Sequence, residues 1–339
     1  MDKTIWIEKY RPHNFDEIIG QDKNITILNN MISKNSLPHL LFYGKSGTGK
    51  TSTIMSIANR LYGKNKTFMV MRLDASDDRG INTVREEIKG FADKMTPFNN
   101  SVKLIILDEA DSMTYDAQFA LRRIIEIYSD NTRFCLICNY ENKIIPPIKA
   151  RCINIRFYPI DKNIIINKLK FIAENEMIKY SEDSIITIAS IANGDLRKAI
   201  NMLQSISMMN NTITSNMCYN SIGIPQPNIV NSCFNILTDR NINFEDTFNY
   251  MKINILDQGI LLCFLLQQLT IAIINNYTKE DNNHISNNNI SNNNISNNNI
   301  SKKHYPQILI DMASLECTVA ISTFNDIYTA GLVSIYKKY

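Results

Sequence analysis

The chain carries no strong charge of either sign. Its 339 residues include 36 lysines and arginines against 33 aspartates and glutamates, a net charge of +3. An overall basic field is absent, so any hold on nucleic acid has to come from a local patch. Long apolar runs are missing as well. The longest strongly apolar stretch of the second half, Ile260 to Leu266, falls far short of the roughly 20 residues that cross a bilayer. The N-terminal MDKTIWIEKYRP is charged and lacks the apolar segment of a secretory signal. Seven cysteines, an odd number at irregular spacings, argue for free thiols in a reducing compartment rather than a disulfide framework. These deficits describe a soluble intracellular protein with no membrane partner. Its length suffices for two or three domains.

What is present begins with alternation. Apolar runs at His39–Tyr43, Phe68–Leu73, Val102–Leu107, Arg133–Cys138 and Cys152–Phe157 read as five strands. Between them lie helical patterns at Thr51–Leu61, from about Gly80 (Ile81, Val84, Ile88, Phe91) and at Ala117–Ile127. Strands alternating with helices predict a parallel sheet covered on both faces. After Pro159 the texture becomes helical. Lys162–Tyr180, Ser184–Ala192 and Asp195–Met208 read as three helices without an intervening strand, with Ser181 and Asp183 as caps and Gly194 as a break. Pro225 and Pro227 mark the next boundary, and apolar helical faces follow around Ile255–Ile274 and Ile308–Tyr336. Ile285–Asn299 repeats Ile-Ser-Asn-Asn-Asn three times. Such a segment buries too little apolar surface to order itself and reads as an insert of about 281–303 between helices. The fold class expected is α/β, a parallel-sheet P-loop domain over 1–160, then a helical domain over 161–224 and an all-α domain over 225–339.

The chemistry concentrates at the ends of the strands. Gly44-Lys45-Ser46-Gly47-Thr48-Gly49-Lys50-Thr51 fits G-x-x-x-x-G-K-[ST], with a strand before it and a helix after it. The glycines let the backbone N–H groups curl toward phosphates, Lys50 neutralises their oxygens, and the Thr51 hydroxyl binds Mg²⁺. The helix that follows, carrying Ser52, presents its positive end to the same anion. Asp108 and Glu109 close an apolar strand, which puts them at the carboxyl edge of the sheet beside the phosphate loop. Asp108 there serves Mg²⁺ and Glu109 polarises an attacking water. ATP and Mg²⁺ are the cofactors implied. Asn139, after the fourth strand, is in reach of the same edge, though asparagine at such a point is ordinarily a turn residue. Arg151 in a turn and Arg197 at a helix start read, on their own, as solvated surface. Cys135 and Cys138 form a C-x-x-C inside a strand with no second pair at ligand spacing, which favours packing over metal or redox chemistry.

Together the motifs resemble the small subunits of replication factor C, the eukaryotic sliding-clamp loader of the AAA+ class. Trp6-Ile7-Glu8-Lys9-Tyr10-Arg11-Pro12 is similar to the family's W-x-E-K-Y-R-P box, and Ile18-Ile19-Gly20-Gln21 to its next box. Leu73-Asp74-Ala75-Ser76-Asp77-Asp78-Arg79-Gly80-Ile81 is close to L-N-A-S-D-D-R-G-I. Leu107–Asp111, Ala120–Arg123, Arg133–Asn139 and Lys143–Cys152 continue the match in order. It is dense from residue 4 to about 200 and thin beyond. Arg133–Tyr140 resembles most the branch of human small subunit five and yeast subunit three. The resemblance implies that Tyr10, Arg11, Pro12, Ile18 and Ile19 pack around the adenine, that Asn139 is sensor 1 and Arg197 sensor 2, and that Arg151 acts in trans on ATP held by the adjacent subunit. It makes the last two domains a lid and an oligomerisation collar. It implies as partners the other replication factor C subunits in a hetero-pentamer, the sliding clamp PCNA, and primer–template DNA held without sequence preference through Arg79, Arg85 and Lys89. It also implies a nuclear location. Three positions depart from the pattern: Ala150 replaces the serine of S-R-C, Asp74 the asparagine of L-N-A-S, and Lys45-Ser46 the usual proline pair. Two other readings are a subunit that binds nucleotide without needing to hydrolyse it and a different AAA+ DNA-processing ATPase such as a branch-migration helicase. The intact Lys50, Thr51, Asp108 and Glu109 argue against the first, and the purely helical pattern after residue 227 against the second.

Overall fold

The computed structural model describes residues 5–34, 36–75, 81–94, 102–209, 212–281, 302–319 and 325–339. The asparagine-rich repeat at 285–299 and Arg79 lie outside them. The chain forms two compact units, Met1–Ile213 and Thr214–Tyr339.

The first unit runs α1 (Trp6–Lys9), α2 (Asp22–Ser33), β1 (Leu40–Tyr43), α3 (Lys50–Tyr62), α4 (Lys66–Met69), β2 (Val70–Asp74), α5 (Ile81–Asp93), β3 (Lys103–Asp108), α6 (Tyr115–Ile127), β4 (Thr132–Cys138), α7 (Pro146–Lys149) and β5 (Ile153–Arg156). The five strands form one parallel sheet in the order β2-β3-β4-β1-β5. Successive strand residues point to opposite faces. Leu40, Phe42, Leu104, Ile106, Cys135 and Ile137 therefore pack with Ile54 and Ile57 of α3. Leu41, Ile105, Leu107, Phe134, Leu136 and Cys138 pack with Leu121 and Ile124 of α6. Burial on both faces is why these strands read as unbroken apolar runs. Cys135 and Cys138 fall in different layers, so the C-x-x-C cannot close on one ion. Burial pushes the Cys138 thiol up to about 12 and raises the Cys135 thiol well above its ordinary value.

The second strand begins two residues later than its apolar pattern suggests. Phe68 belongs to α4 and is 72% exposed, while pairing of Val70 with Leu104 starts the strand. Helix α2 has a weak pattern in which only Leu28 is fully buried, with Ile25, Met31 and Ile32 packed against the sheet.

The helical region of this unit comprises α8 (Lys162–Asn175), β6 (Lys179–Tyr180), α9 (Glu182–Ala192), α10 (Leu196–Met209) and β7 (Thr212–Ile213). The expected helix through Tyr180 stops at Asn175. Met177 takes φ 55° and the Ile178 N–H returns to the Ala173 carbonyl, which turns the chain. Lys179 and Tyr180 then pair in parallel with Thr212 and Ile213. The expectation of no strand here is corrected: two residues are too few to carry a periodic signal. Ser181 caps α9, its hydroxyl accepting from the Ser184 N–H, whereas Asp183 lies within the helix. Asn193 and Gly194, both with positive φ, turn α9 into α10. A side chain on Gly194 would meet Pro159 Cβ at 2.4 Å, so the turn needs glycine for space as well as for conformation.

In the second unit every described element after Pro227 is helical. It contains α11 (Ser215–Asn220), α12 (Pro227–Thr238), α13 (Phe244–Met251), α14 (Leu262–Asp281), α15 (Tyr305–Val319) and α16 (Asn325–Lys338). Pro227 opens α12 at the position where a missing N–H costs nothing. Leu237, Met251, Leu265, Leu269, Ile308, Met312, Leu332 and Tyr336 form its core.

Candidate functional site

The loop from Gly44 to Gly49 leaves β1 at the carboxyl edge and enters α3. Its shape depends on glycine at two points. A Cβ on Gly44 would lie 2.2 Å from the Phe157 carbonyl oxygen, and one on Gly47 would lie 1.7 Å from Asp195 Oδ1. Lys50 and Thr51 open α3, and Lys50 is only 7% exposed. Its ammonium donates to the carbonyls of Gly44 and Lys45 at 2.6 and 2.8 Å and to Asn139 Oδ1 at 3.0 Å. Burial pushes Lys50 down to about 8; the Arg197 guanidinium acts in the same direction, and Asp108 and Asp111 oppose it. Lys45 supplies its carbonyl to this network while its side chain is exposed.

Strand order explains which carboxylates arrive. β3 and β4 lie on one side of β1, so Asp108 and Asn139 end beside the loop although they are far from it in sequence. The Thr51 hydroxyl donates to Asp108 Oδ2 at 3.0 Å. Two hard oxygens at the start of a phosphate-facing helix suit Mg²⁺, which takes few protein ligands and shares the rest with phosphate and water. Glu109 sits at φ 53°, a left-handed conformation that non-glycine residues adopt rarely and that clusters at functional sites. Its N–H donates to Asp108 Oδ1 at 3.1 Å. Asp111 Oδ2 accepts from the N–H groups of Asn139 and Tyr140 at 3.2 and 3.1 Å, which fixes the Asn139 backbone. Ser46, Gly47, Thr48, Gly49, Lys50, Thr51, Asp108, Glu109, Asn139 and Arg197 line one polar pocket. Two further lining residues, Arg72 and Asp74, carry charge at the end of β2. A charged residue between Met71 and Leu73 was the available signal for Arg72, but it reads equally as a solvent-facing strand position.

A second, mainly apolar pocket adjoins the first and shares Gly47, Thr48, Gly49 and Arg197 with it. Tyr10, Arg11, Pro12, Ile18, Ile19 and Ser52 line it, together with Ile7, Ile160, Leu196 and Ile200. The N-terminal segment is held against the helical region through Glu176, which also pairs with Lys9 at 2.8 Å, and through Gln204. The Tyr10 hydroxyl donates to Glu176 Oε1 at 2.7 Å, and the Trp6 N–H donates to Gln204 Oε1 at 3.1 Å. Burial, reinforced by Glu176, raises the Tyr10 phenol above its ordinary range. Gln21, the last residue of the Ile18-Ile19-Gly20-Gln21 box, is 4% exposed. Its amide donates to the Tyr158 carbonyl at 2.7 Å and, more weakly, to the Thr48 carbonyl at 3.4 Å. Arg197 reaches both pockets because Asp195 caps α10 (Lys198 N–H to Oδ1, 3.0 Å) and the Leu196 N–H meets the Gly47 carbonyl at 3.3 Å.

Two of the remaining candidates, Arg151 and Lys89, line neither pocket. Arg151 donates to the Pro147 carbonyl at 2.7 Å and pairs with Glu126, which also accepts from Arg122 at 3.1 Å. Lys89 is half-buried on α5; Arg85 lies on the same helix with its side chain outside the described residues.

A loop of this form, with its carboxylate pair and polar strand end on a β2-β3-β4-β1-β5 parallel sheet and a helical region closing over it, defines a P-loop ATPase of the AAA+ class. Residues 40–160 match the family model for the ATPase family associated with various cellular activities, and residues 167–208 match the RCF1/5-like AAA+ ATPase lid domain. The chain is 48% identical over 247 residues to the probable replication factor C subunit 5 of Dictyostelium discoideum, covering 72% of this chain and 71% of that one. It is 42% identical over 272 residues to human replication factor C subunit 5, with 79% and 78% covered. Against subunit 3 of Saccharomyces cerevisiae it is 44% identical over 227 residues, with 66% and 67% covered. The chain belongs to the replication factor C small-subunit family. The Thermotoga maritima RuvB Holliday junction branch migration motor shares its fold, with a TM-score of 0.51 over 75% of this chain and 91% of that one; at 14% identity the likeness concerns the fold alone.

Proposed function

We propose that the chain is an ATP-hydrolysing subunit of a replication factor C clamp loader, working in the nucleus to load the sliding clamp PCNA onto primer–template DNA in replication and repair. Its domains divide into an ATPase domain over 1–160, a lid over 161–224 and an oligomerisation collar over 225–339. The observation that carries this reading is an asymmetry: Lys50, Thr51, Asp108, Glu109, Asn139 and Arg197 line one pocket, while Arg151 is held elsewhere, on Glu126.

The adenine occupies the apolar pocket and the phosphates run along the loop toward Lys50. Lys50 exchanges its carbonyl partners for β- and γ-oxygens, a substitution favoured because the anion restores the charge that burial disfavours. Thr51 and Asp108 would hold Mg²⁺, which supplies charge neutralisation at those oxygens. Glu109 accepts a proton from the attacking water, and Asn139 orients it toward the γ-phosphorus. Arg197 binds the γ-phosphate from the lid, so occupancy of the site biases lid position. Arg151 stabilises transition-state charge on ATP held by the neighbouring subunit, a contribution of roughly 10³–10⁵ in rate for related phosphate chemistry. Arg79, Arg85 and Lys89 contact DNA phosphates without reading bases.

The test is a comparison of the isolated chain with the assembled loader. The isolated chain is expected to bind ATP but turn it over slowly until the neighbour supplies its arginine. Lys50→Ala and Glu109→Gln are each expected to abolish this subunit's turnover, the second with ATP affinity retained. Clamp loading at full rate with both changes in place would refute an essential role for hydrolysis here. Failure to co-purify with other replication factor C subunits would refute the clamp-loader assignment.

A further inference from the structure

Asp108, the carboxylate assigned above to Mg²⁺, already has a cation on it. Arg72 Nη2 lies 3.0 Å from Asp108 Oδ2, the same oxygen that accepts the Thr51 hydroxyl at 3.0 Å. Asp108 Oδ1 accepts the Glu109 N–H. Both carboxylate oxygens are thus engaged by the protein's own groups. Asp108 is the more sheltered partner, with 13% of its side chain exposed against 38% for Arg72. A second carboxylate waits on the same strand as the arginine: Asp74 Oδ1 stands 3.7 Å from the same Nη2. It occupies the position where the family pattern has a neutral asparagine. All three residues line the phosphate pocket. The register explains the grouping. Asp74 pairs with Asp108 across β2 and β3, and Arg72 lies two residues back, on the same face of its strand.

From this geometry we infer that Arg72 is a positioning residue with two stations, holding Asp108 in the empty pocket and moving onto Asp74 when a divalent cation is held at Asp108. The inference rests on the nucleotide-site reading above. In the empty pocket the guanidinium takes the electrostatic place of the metal, so Asp108 stays oriented toward Thr51 without leaving an uncompensated charge. On loading, the divalent cation competes with the guanidinium for an oxygen that the Thr51 hydroxyl also occupies. The flexible guanidinium yields, and Asp74 accepts it within an ångström of its present place. Arg72 thereby adds positive charge near the phosphates whether or not metal is present, and makes metal entry compete with an internal cation. A static salt bridge that merely braces β2 against β3 makes neither contribution.

The two roles separate in a binding experiment on the full chain, using a fluorescent ATP analogue titrated first in EDTA and then with added Mg²⁺. One charge acting across several ångströms of partly screened pocket corresponds to about a tenfold change in affinity. Arg72→Ala is expected to weaken analogue binding in EDTA by about tenfold and to lower by about tenfold the Mg²⁺ concentration that half-saturates the bound complex. Arg72→Lys should fall between Arg72→Ala and the wild type. Asp74→Asn, which removes the second station, should raise the Mg²⁺ requirement. Shifts of the two quantities in the same direction, or an unchanged Mg²⁺ requirement in Arg72→Ala, would overturn the inference. An unaltered unfolding midpoint by Trp6 fluorescence establishes that the variants are folded. Wild-type chain that bound no analogue under either condition would overturn the nucleotide-site reading itself, whereas normal wild-type binding without the opposed shifts would overturn only the role of Arg72.

Discussion

Gly47→Ala combined with Asp195→Ala tests whether the lid's first turn truly rests on the phosphate loop. Gly47 has φ +69°, and an added methyl would lie 1.7 Å from Asp195 Oδ1 and 2.4 Å from its Cγ. Alanine in that left-handed region costs about 1 kcal/mol. The clash also forces Asp195 off the Lys198 N–H that it caps at 3.0 Å, a loss of about 1 kcal/mol. Gly47→Ala alone is therefore expected to destabilise the first unit by about 2 kcal/mol and Asp195→Ala by about 1 kcal/mol. The double variant loses the cap only once and should cost about 2 kcal/mol, a coupling of about 1 kcal/mol, well above the ~0.3–0.5 kcal/mol within which independent sites add. Gly49→Ala is the control. It has φ +97° but no atom within 4 Å of the added carbon, so it should show strain without coupling to Asp195. The assay is urea denaturation followed by fluorescence of Trp6, the chain's single tryptophan, which is buried against α10 in the same unit. Additive single costs would refute the contact.

Two further outcomes are expected. Because Lys50 in the empty pocket titrates near 8 and phosphates restore its charge, ATP binding should take up almost no proton at about pH 7 and close to one at about pH 9, with affinity falling by up to about tenfold per pH unit above 8; calorimetry in two buffers of different ionisation enthalpy measures this, and Lys50→Arg should abolish the uptake. In the empty protein the sign runs the other way, since a lysine held below its usual range destabilises the fold while charged, and that cost is relieved as pH rises from about 8 toward 10.5. Gln118, 2% exposed, donates to the Met113 and Lys143 carbonyls at 3.2 and 3.0 Å and accepts the Ile145 N–H at 2.9 Å; Gln118→Leu strands the buried Ile145 N–H and leaves two partly buried carbonyls to water, and should destabilise the first unit by about 1–3 kcal/mol, and a loss below about 0.5 kcal/mol would refute the accounting.

Legibility varied with how local the determining physics is. The phosphate loop, the helix after it and the apolar strands were readable because glycine torsions, hydrophobic period and buried runs are properties of short segments. Asp108 was readable because parallel strands bring their carboxyl ends to one edge, whereas Asn139 at the same edge reads alone as a turn residue and was singled out through the family resemblance. Arg72 was not, because a charged residue on a strand near the sheet margin looks like solvated surface until the register puts it against Asp108. The stop at Asn175 escaped for a related reason: Lys179 and Tyr180 gain their strand partners only from Thr212 and Ile213, beyond two intervening helices.

By itself, then, the sequence determined that an anion-binding loop joins a buried strand to a helix, that carboxylates close another buried strand, and that helical segments follow. Each of these is settled within one or two turns of chain. The tertiary structure alone decided that Arg197 meets the loop through Gly47 and Asp195, that the Asp108 carboxylate is shared between Thr51 and Arg72, and that Arg151 is drawn to Glu126 and away from its own subunit's phosphate pocket. These depend on strand order and register, which sum contacts from across the chain and leave no mark in any one segment.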